Sequence, residues 1–190
     1  MMRFEDKVVI ITGASSGIGE GVAKKFLEEG ALVVGCGIEP EMHIQNEHAV
    51  YVQADLTDFA QAQHVVEEAV KAFGRVNKLV CCAGVTFVGS LETTDYDRFM
   101  RELSINMGGV FNMCKAAVAE LKKQEGSTIV TVGSDLGVRP IPERIGYCPS
   151  KAGVIMLTKC IALEYAPSIR ANAILPGLVP LPRRIRRRSG

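Results

Sequence analysis

Short apolar runs alternate along this chain with longer segments in which apolar residues recur every three or four positions. Runs of the first kind are typical of buried strands, and segments of the second kind are typical of amphipathic helices. The alternation predicts a parallel sheet with helices on both faces, which is a doubly wound, three-layer α/β/α fold. The predicted strands cover residues 8–12, 32–35, 49–53, 79–82, 128–133 and 171–175, and the predicted helices cover 17–29, 58–73, 96–100 continuing through 105–123, and 146–165.

The first predicted strand leads directly into a glycine-rich turn, Thr12-Gly13-Ala14-Ser15-Ser16-Gly17-Ile18-Gly19, and a helical pattern follows it. Glycines allow a tight turn and a close approach of the backbone to a ligand, while the amides at the start of a helix attract a pyrophosphate. The motif therefore predicts a pyrophosphate-binding turn. A purely structural strand-to-helix turn is the alternative.

Tyr147 and Lys151 are four residues apart in the last predicted helix, so their side chains lie on one face of it. A phenol ordinarily titrates near pH ~10, and a neighbouring ammonium favours the phenolate. The pair predicts acid/base chemistry near neutral pH. A surface pair without a chemical role is the alternative when the two residues are considered alone.

Together the glycine turn and the Tyr147–Lys151 pair resemble the short-chain dehydrogenase/reductase family, and the resemblance extends over residues 7–179. Asn106 resembles the active-site asparagine of that family, and Ser134, thirteen residues before Tyr147, resembles its active-site serine. The resemblance implies a Rossmann-like fold and an NAD(P)-dependent oxidoreductase. Such an enzyme transfers a hydride between nicotinamide and a secondary alcohol or ketone, for example a 3-oxoacyl, sugar or steroid-like carbonyl.

The resemblance also implies a role for each of four side chains. Tyr147 is the general acid or base, and Lys151 holds the nicotinamide ribose and lowers the pKa of the phenol. Ser134 hydrogen-bonds the reacting oxygen, and Asn106 holds a water that links Lys151 to solvent. When each is considered alone, the alternative for Asn106 and for Ser134 is a polar residue whose side chain has only a structural hydrogen-bonding role.

The cofactor contacts implied by the resemblance come from the glycine turn, the ends of later strands and the acid/base pair. Asp55 is the acid beside the adenine ring, with a helix cap before Thr57 as its alternative, and Pro176-Gly177 is the turn beside the nicotinamide. The implied contact residues are Gly13, Ser15, Ser16, Gly17, Ile18, Gly19, Asp55, Leu56, Ala83, Gly84, Tyr147, Lys151, Pro176 and Gly177.

The choice between NAD and NADP is expected at the end of the second strand, where NAD users of this family tend to carry an acid. Gly37 occupies that place, and Ile38 follows where many NADP users carry Arg. No cation for an extra phosphate is present there, and Glu39 is close enough to repel one. NAD is therefore the favoured cofactor, with NADP as the alternative.

Three departures from the family pattern bear on activity, and the third, at the C-terminus, is the largest. Cys81-Cys82-Ala83-Gly84 stands where Asn-Asn-Ala-Gly is usual, and Leu181 stands where a Thr often bonds the nicotinamide carboxamide. Relatives also continue beyond Pro180 through substrate-covering helices and a final strand. We expect this chain to lack those elements, so that the strand at 171–175 has an open edge. A truncated, catalytically poor nucleotide-binding protein is the alternative function.

The C-terminal tail differs from the rest of the chain in charge. The net charge is +1, and without the five arginines of residues 183–188 it is −4 for residues 1–182. We expect residues 1–180 to form a single NAD(P)-binding domain and residues 181–190 to form a basic, disordered tail. An arm for nucleic acid or an anionic membrane is the disfavoured alternative, because the tail has no aromatic residue for base stacking.

Composition narrows the remaining possibilities. A chain of 190 residues with 47% hydrophobic residues can bury a sizeable core, and no transmembrane stretch or signal peptide is visible, so we expect a cytoplasmic protein. Three scattered histidines and six cysteines without metal-like spacing predict no metal site and reduced thiols. The resemblance implies a homo-dimer or tetramer formed through the long helices around Asn112 and Ile155. Substrate identity stays open: Arg139 or Arg144 could attract an anionic substrate, although solvated loop charges are favoured.

Overall fold

A computed structural model of the chain describes residues 2–179, in which six parallel strands form one sheet. The strands are β1 (Val8–Thr12), β2 (Leu32–Gly37), β3 (Ala49–Gln53), β4 (Lys78–Cys81), β5 (Ser127–Val132) and β6 (Ile169–Ile174). Their order across the sheet is β3-β2-β1-β4-β5-β6, so the chain reverses its direction of travel between β1 and β4. The expectations for residues 180–190, including Leu181 and the basic tail, lie outside the described residues.

Five α-helices connect these strands within the same residues. They are α1 (Gly17–Glu28), α2 (Phe59–Phe73), α3 (Tyr96–Leu103), α4 (Gly109–Lys122) and α5 (Tyr147–Tyr165). Side-chain caps explain where two of them begin: Asp58 accepts a hydrogen bond from the amide of Ala60, and Asp95 accepts one from the amide of Arg98. The predicted three-layer fold is confirmed, and most element bounds lie within two residues of the prediction.

The helix predicted to run without interruption from 105 to 123 is interrupted. Residues Ser104–Gly108 form a π-helical turn between α3 and α4, in which the amide of Gly109 donates to the carbonyl of Ser104. A π-turn inserts one residue into the helical register, which a hydrophobic pattern does not reveal. The turn carries Asn106, which is fully buried.

The hydrophobic core consists of one cluster on each face of the sheet. On one face α1 packs Ala23 and Phe26 against β1, whereas on the other face α2, α4 and α5 cover a larger cluster around Ile10 and Leu79. β1 has no exposed residue, as expected of a central parallel strand. Both layers therefore hold the carboxyl end of β1, where the glycine turn begins.

β6 is the last strand of the described residues, and within residues 2–179 only β5 pairs with it. Ile174 near its end is 45% exposed and Leu175 is 39% exposed. The open edge expected at this strand is thus present in the described part of the chain. Within the same residues, no helix is both long enough and apolar enough to cross a bilayer.

Candidate functional site

A cleft of about 1040 Å³ opens at the carboxyl ends of the strands, where the sheet reverses its order. Almost all of the residues predicted to contact cofactor or substrate line it. They are Gly13, Ser15, Ser16, Gly17, Ile18, Gly19, Asp55, Leu56, Ala83, Gly84, Ser134, Tyr147, Lys151, Pro176 and Gly177. Asn106 lies behind the cleft wall rather than on it.

The glycine turn is shaped by close backbone contacts. Gly13 has a φ of +67°, and a Cβ placed on it would lie 3.0 Å from the Cα of Ala83. A Cβ on Gly19 would collide with the backbone carbonyl of Gly13. Ser16 precedes α1 without a side-chain cap hydrogen bond, so the side chain leaves the first amides of this helix to a ligand. This cradle fits the pyrophosphate of a dinucleotide.

Thr12 supports the wall of the cleft opposite the glycine turn. Its Oγ1 accepts hydrogen bonds from the amides of Cys82 and Ala83, both at 3.0 Å. These bonds hold the Cys81-Cys82-Ala83-Gly84 backbone without the asparagine side chains that the family usually has there. Thr12 was missed in the sequence, although a polar residue at the end of an apolar strand was a usable signal.

Ser134 and Tyr147 meet at the other end of the cleft. Ser134 lies two residues after the end of β5, its hydroxyl accepts a hydrogen bond from the amide of Leu136 at 3.1 Å, and its side chain interacts with that of Tyr147. Asp135 adds a carboxylate that sequence reasoning missed: its Oδ1 accepts from Ser134 Oγ at 3.1 Å, and its amide donates to the carbonyl of Pro176 at 3.1 Å. The serine turn is therefore tied to the Pro176-Gly177 turn.

The pKa of Tyr147 is raised above its usual value, chiefly because burial disfavours the phenolate. The interaction with the Ser134 side chain lowers this pKa, whereas electrostatic interactions with residues that include Asp135 and Glu102 raise it further. The prediction that Lys151 would produce a depressed phenol pKa is thus wrong for this structure. Burial is the largest cause of the shift, and Lys151, whose Nζ lies 5.8 Å from the centroid of the phenol ring, is not among the groups that move this pKa.

Lys151 is 4% exposed, and its Nζ donates to the carbonyl of Val132 at 2.8 Å. Burial lowers the pKa of this ammonium, and the nearby thiols of Cys82 and Cys81 act in the opposite direction. A Cβ on Gly84 would lie 3.3 Å from Lys151 Nζ and 3.1 Å from Asn106 Oδ1. Gly84 therefore lets the loop after β4 pass close to both side chains.

The buried Asn106 side chain hydrogen-bonds the segments that form the cleft wall. Its Oδ1 accepts from the amide of Val85 at 2.8 Å, and its Nδ2 donates to the carbonyl of Val85 and to Ser150 Oγ, both at 2.9 Å. Ser150 in turn donates to the carbonyl of Tyr147 at 2.7 Å. Asn106 thus connects the loop after β4 to the first turn of α5.

At the opposite end of the cleft, Asp55 does not cap a helix. Its Oδ1 accepts from the amide and the hydroxyl of Thr57, at 3.0 and 2.8 Å, and the cap of α2 is Asp58. The carboxylate is held in a local turn, and the residue remains on the wall of the cleft.

Glu39 folds back over the end of β2. Ser15 Oγ donates to Glu39 Oε2 at 2.7 Å, and Tyr51 donates to the Glu39 carbonyl at 3.0 Å. A Cβ on Gly37 would lie 3.2 Å from Glu39 Oε2 and 3.1 Å from the Tyr51 hydroxyl. The carboxylate of Glu39 therefore lies against the place that a side chain on residue 37 would take.

A second cavity of about 510 Å³ lies beside the loop between β5 and α5. Its lining is mostly apolar and includes Leu136, Ile141, Ile145, Cys148 and Ala152. Arg144 also lines it and donates to the carbonyl of Glu143 at 2.8 Å. Within residues 2–179 no cluster of three or more His, Cys, Asp or Glu side chains could hold a metal ion.

Comparison with known proteins places this geometry in context. A family model described as short chain dehydrogenase matches residues 7–188. An uncharacterised oxidoreductase of Thermotoga maritima is 37% identical over 185 residues, which are 93% of this chain and 73% of that protein. The 3-oxoacyl-(acyl-carrier-protein) reductase of Thermotoga maritima is 36% identical over 190 residues, which are 95% of this chain and 77% of that protein.

Solved structures agree with the sequence comparison. The aldohexose dehydrogenase of Thermoplasma acidophilum matches with a TM-score of 0.88 at 32% identity, over 94% of this chain and 69% of that chain. Levodione reductase matches with a TM-score of 0.88 at 30% identity, over 95% of this chain and 74% of that chain.

Proposed function

The chain belongs to the short-chain dehydrogenase/reductase family, and we propose that it is an NAD(P)-dependent enzyme acting on a secondary alcohol or the corresponding ketone. Relatives of this chain are named as oxidoreductases, which supports oxidoreductase activity in general, and the family implies a nicotinamide cofactor. The observation that carries the proposal is the contact of Tyr147 with Ser134 on the wall of the cleft, with the buried ammonium of Lys151 on the same helix face.

In this proposal Tyr147 moves the proton. Its hydroxyl gives a proton to the carbonyl oxygen in reduction and takes one from the alcohol in oxidation, while Ser134 hydrogen-bonds that oxygen. The nicotinamide, when bound, supplies or accepts the hydride. Because the pKa of Tyr147 is raised, the hydroxyl is protonated at neutral pH. This protonation state favours reduction at neutral pH and oxidation at alkaline pH.

Lys151 and Asn106 have supporting roles in the proposal. Lys151 holds the nicotinamide ribose, and its contact with the Val132 carbonyl keeps the ammonium at the base of the cleft. Asn106 sits in the π-helical turn and bonds both Val85 and Ser150, so it fixes the loop and the helix between which a proton path to solvent would pass. Gly84 leaves the space in which these groups approach one another.

We propose that NAD is preferred over NADP because of Glu39. Its carboxylate is held by Ser15 against the end of β2, where an acid on residue 37 would otherwise accept hydrogen bonds from the adenosine ribose. The same charge would repel a phosphate on that ribose. Glu39 thus replaces, from two positions further along the chain, the acid that Gly37 lacks.

We also propose that residues 1–180 act as one NAD(P)-binding domain and that the chain forms a homo-dimer or tetramer through α4 and α5. Phe111 on α4 is 49% exposed, and Met156 and Leu163 on α5 are 58% and 84% exposed. Sedimentation of Leu163→Glu tests this interface, and it should yield a smaller species than the parent chain. Leu91→Glu, at a residue that is 80% exposed in a loop, is the control.

The primary test is a fluorescence titration of the purified chain with NADH and, separately, with NADPH. We expect saturable binding of NADH and weaker binding of NADPH. A panel of ketones of increasing alkyl length then tests turnover, because the apolar second cavity would accept an apolar part of the substrate.

The decisive variant is Tyr147→Phe, which should bind NADH like the parent chain and lose turnover. Tyr96→Phe, at a residue that is 73% exposed on α3, is the matched control and should keep turnover. Turnover retained by Tyr147→Phe would remove the proposed mechanism. Cofactor binding without turnover of any substrate by the parent chain would instead favour a nucleotide-binding protein.

A further inference from the structure

Two charged side chains are buried within residues 2–179, and both lie near Tyr147. Lys151 is 4% exposed and belongs to the cleft, whereas Glu102 on α3 is 2% exposed and lines neither cavity. Burying a carboxylate costs free energy unless it is hydrogen-bonded or faces positive charge. The contacts of the Glu102 carboxylate therefore show which groups offset the free-energy cost of burying it.

The two oxygens of the Glu102 carboxylate contact two different segments. Oε1 accepts a hydrogen bond at 2.9 Å from the amide of Phe87, in the loop after β4. Oε2 lies against Gly146, and any Cβ placed on Gly146 would collide with it. Gly146 is the residue immediately before Tyr147 and caps α5.

Backbone hydrogen bonds also join the same two segments. The amide of Gly89 donates to the carbonyl of Glu143 at 3.0 Å, and the amide of Ile145 donates to the carbonyl of Gly89 at 3.4 Å. Glu102 thus adds a side-chain contact to a junction between the loop after β4 and the residues that lead into α5.

Two arginines lie near this carboxylate, one on α3 and one in the loop before α5. Arg98 on α3 and Arg144 in the loop before α5 lower its pKa, although burial raises it overall. Arg98 is itself held by a hydrogen bond to the Val88 carbonyl at 2.9 Å and stacks over the Phe87 ring at 5.4 Å. Tyr147 on α5 is the phenol whose pKa the Glu102 charge raises.

We propose that Glu102 is a positioning residue: its carboxylate clamps the loop after β4 to the first turn of α5 and thereby holds Tyr147 in the cleft. Gly146 is the complementary half of the clamp, because only a residue without a side chain leaves room for the carboxylate. The proposal rests on the proposed role of Tyr147, but the clamp itself is measurable without turnover.

The geometric test is hydrogen exchange of the full chain, read on peptides covering residues 84–90 and 143–148. Glu102→Ala should accelerate exchange of these segments by about tenfold or more, whereas Glu102→Gln keeps an acceptor for the Phe87 amide and should stay close to the parent. Asp97→Asn, at an exposed acid on the same helix, is the control. Unchanged exchange in Glu102→Ala would overturn the clamp.

Gly146→Ala supplies an independent arm in case Glu102→Ala folds poorly. Alone it should accelerate exchange of the same segments, and combined with Glu102→Ala it should add nothing further, because the collision is gone. Additive effects of the two changes would contradict a shared clamp.

The electrostatic arm is the alkaline titration of the Tyr147 phenol by absorbance, taken as the difference from Tyr147→Phe. Glu102→Gln should move the midpoint down by about half a pH unit, since a negative charge is removed. A merely structural Glu102 would leave the midpoint in place. If the exchange and absorbance results hold while Tyr147→Phe retains turnover, the clamp stands and the proposed function fails.

Discussion

The hydroxyl of Ser134 donates a 3.1 Å hydrogen bond to the carboxylate of Asp135, the residue that follows it in the chain. Asp135 also stands against Gly177, where a Cβ would lie 3.5 Å from its Oδ2. A negative charge is thus placed beside the serine and near the phenol of Tyr147. It opposes the formation of phenolate, which is the form that removes a proton from an alcohol.

Asp135→Asn should lower the pKa of Tyr147, because the substitution removes one of the charges that raise it. The alkaline rise in the oxidation rate should therefore move to lower pH. The measurement is the pH dependence of kcat in the oxidative direction. Asp97→Asn controls for the loss of any surface acid, and an unmoved profile in Asp135→Asn would rule out this electrostatic role.

Gly19→Ala should weaken NADH binding by about tenfold, because its methyl group meets the rigid carbonyl of Gly13 and displaces the turn. Gly21 is the matched control on the same helix, since a Cβ there meets no atom within 4 Å. Gly21→Ala should bind NADH normally and gain up to about 1 kcal/mol of unfolding free energy from helix propensity. Equal NADH affinity in the two variants would show that the turn does not need its tight packing.

Thr12→Val should reduce the free energy of unfolding by about 2 kcal/mol, because it leaves the amides of Cys82 and Ala83 without their acceptor in a buried place. Thr12→Ser keeps the oxygen and should lose far less. Denaturant unfolding measures both values, and NADH titration tests whether the cleft wall has moved. Similar losses in the two variants would assign the effect to packing of the methyl group instead.

Glu39→Gln should weaken NADH binding by about tenfold and narrow the difference between NADH and NADPH, because a charged acceptor at the proposed ribose site is removed. Glu41→Gln, at an exposed acid two residues away, should leave both affinities unchanged. Competitive titration of the two cofactors measures the ratio. A ratio that does not respond to Glu39→Gln would place cofactor selection elsewhere.

The strands and most helices were predictable because their signals are local. The apolar run of β1, the glycine turn after it and the helical spacing of α2 all depend on neighbours within a few residues. The π-helical turn at Ser104–Gly108 was not predictable in this way, since one extra residue in a helical turn leaves the apolar pattern nearly unchanged.

The sequence by itself indicated which residue types meet at the cleft, because parallel strands place their carboxyl ends at one edge of the sheet. Tertiary structure decided what surrounds each of them. The pKa of Tyr147 is raised rather than lowered because desolvation depends on burial, and burial is decided by segments far apart in the chain.

Glu39 and Glu102 also show the difference between what the sequence indicates and what the tertiary structure decides. The nearness of Glu39 to the end of β2 was visible in the sequence, but its contact with Ser15 requires the chain to fold back over 24 residues. Glu102 looked like any acid on an exposed helix, and only the packing of α3 beneath Phe87 and Gly146 buries it. Local sequence determines periodicity and turn chemistry, whereas the environment of a charge is a property of the assembled fold.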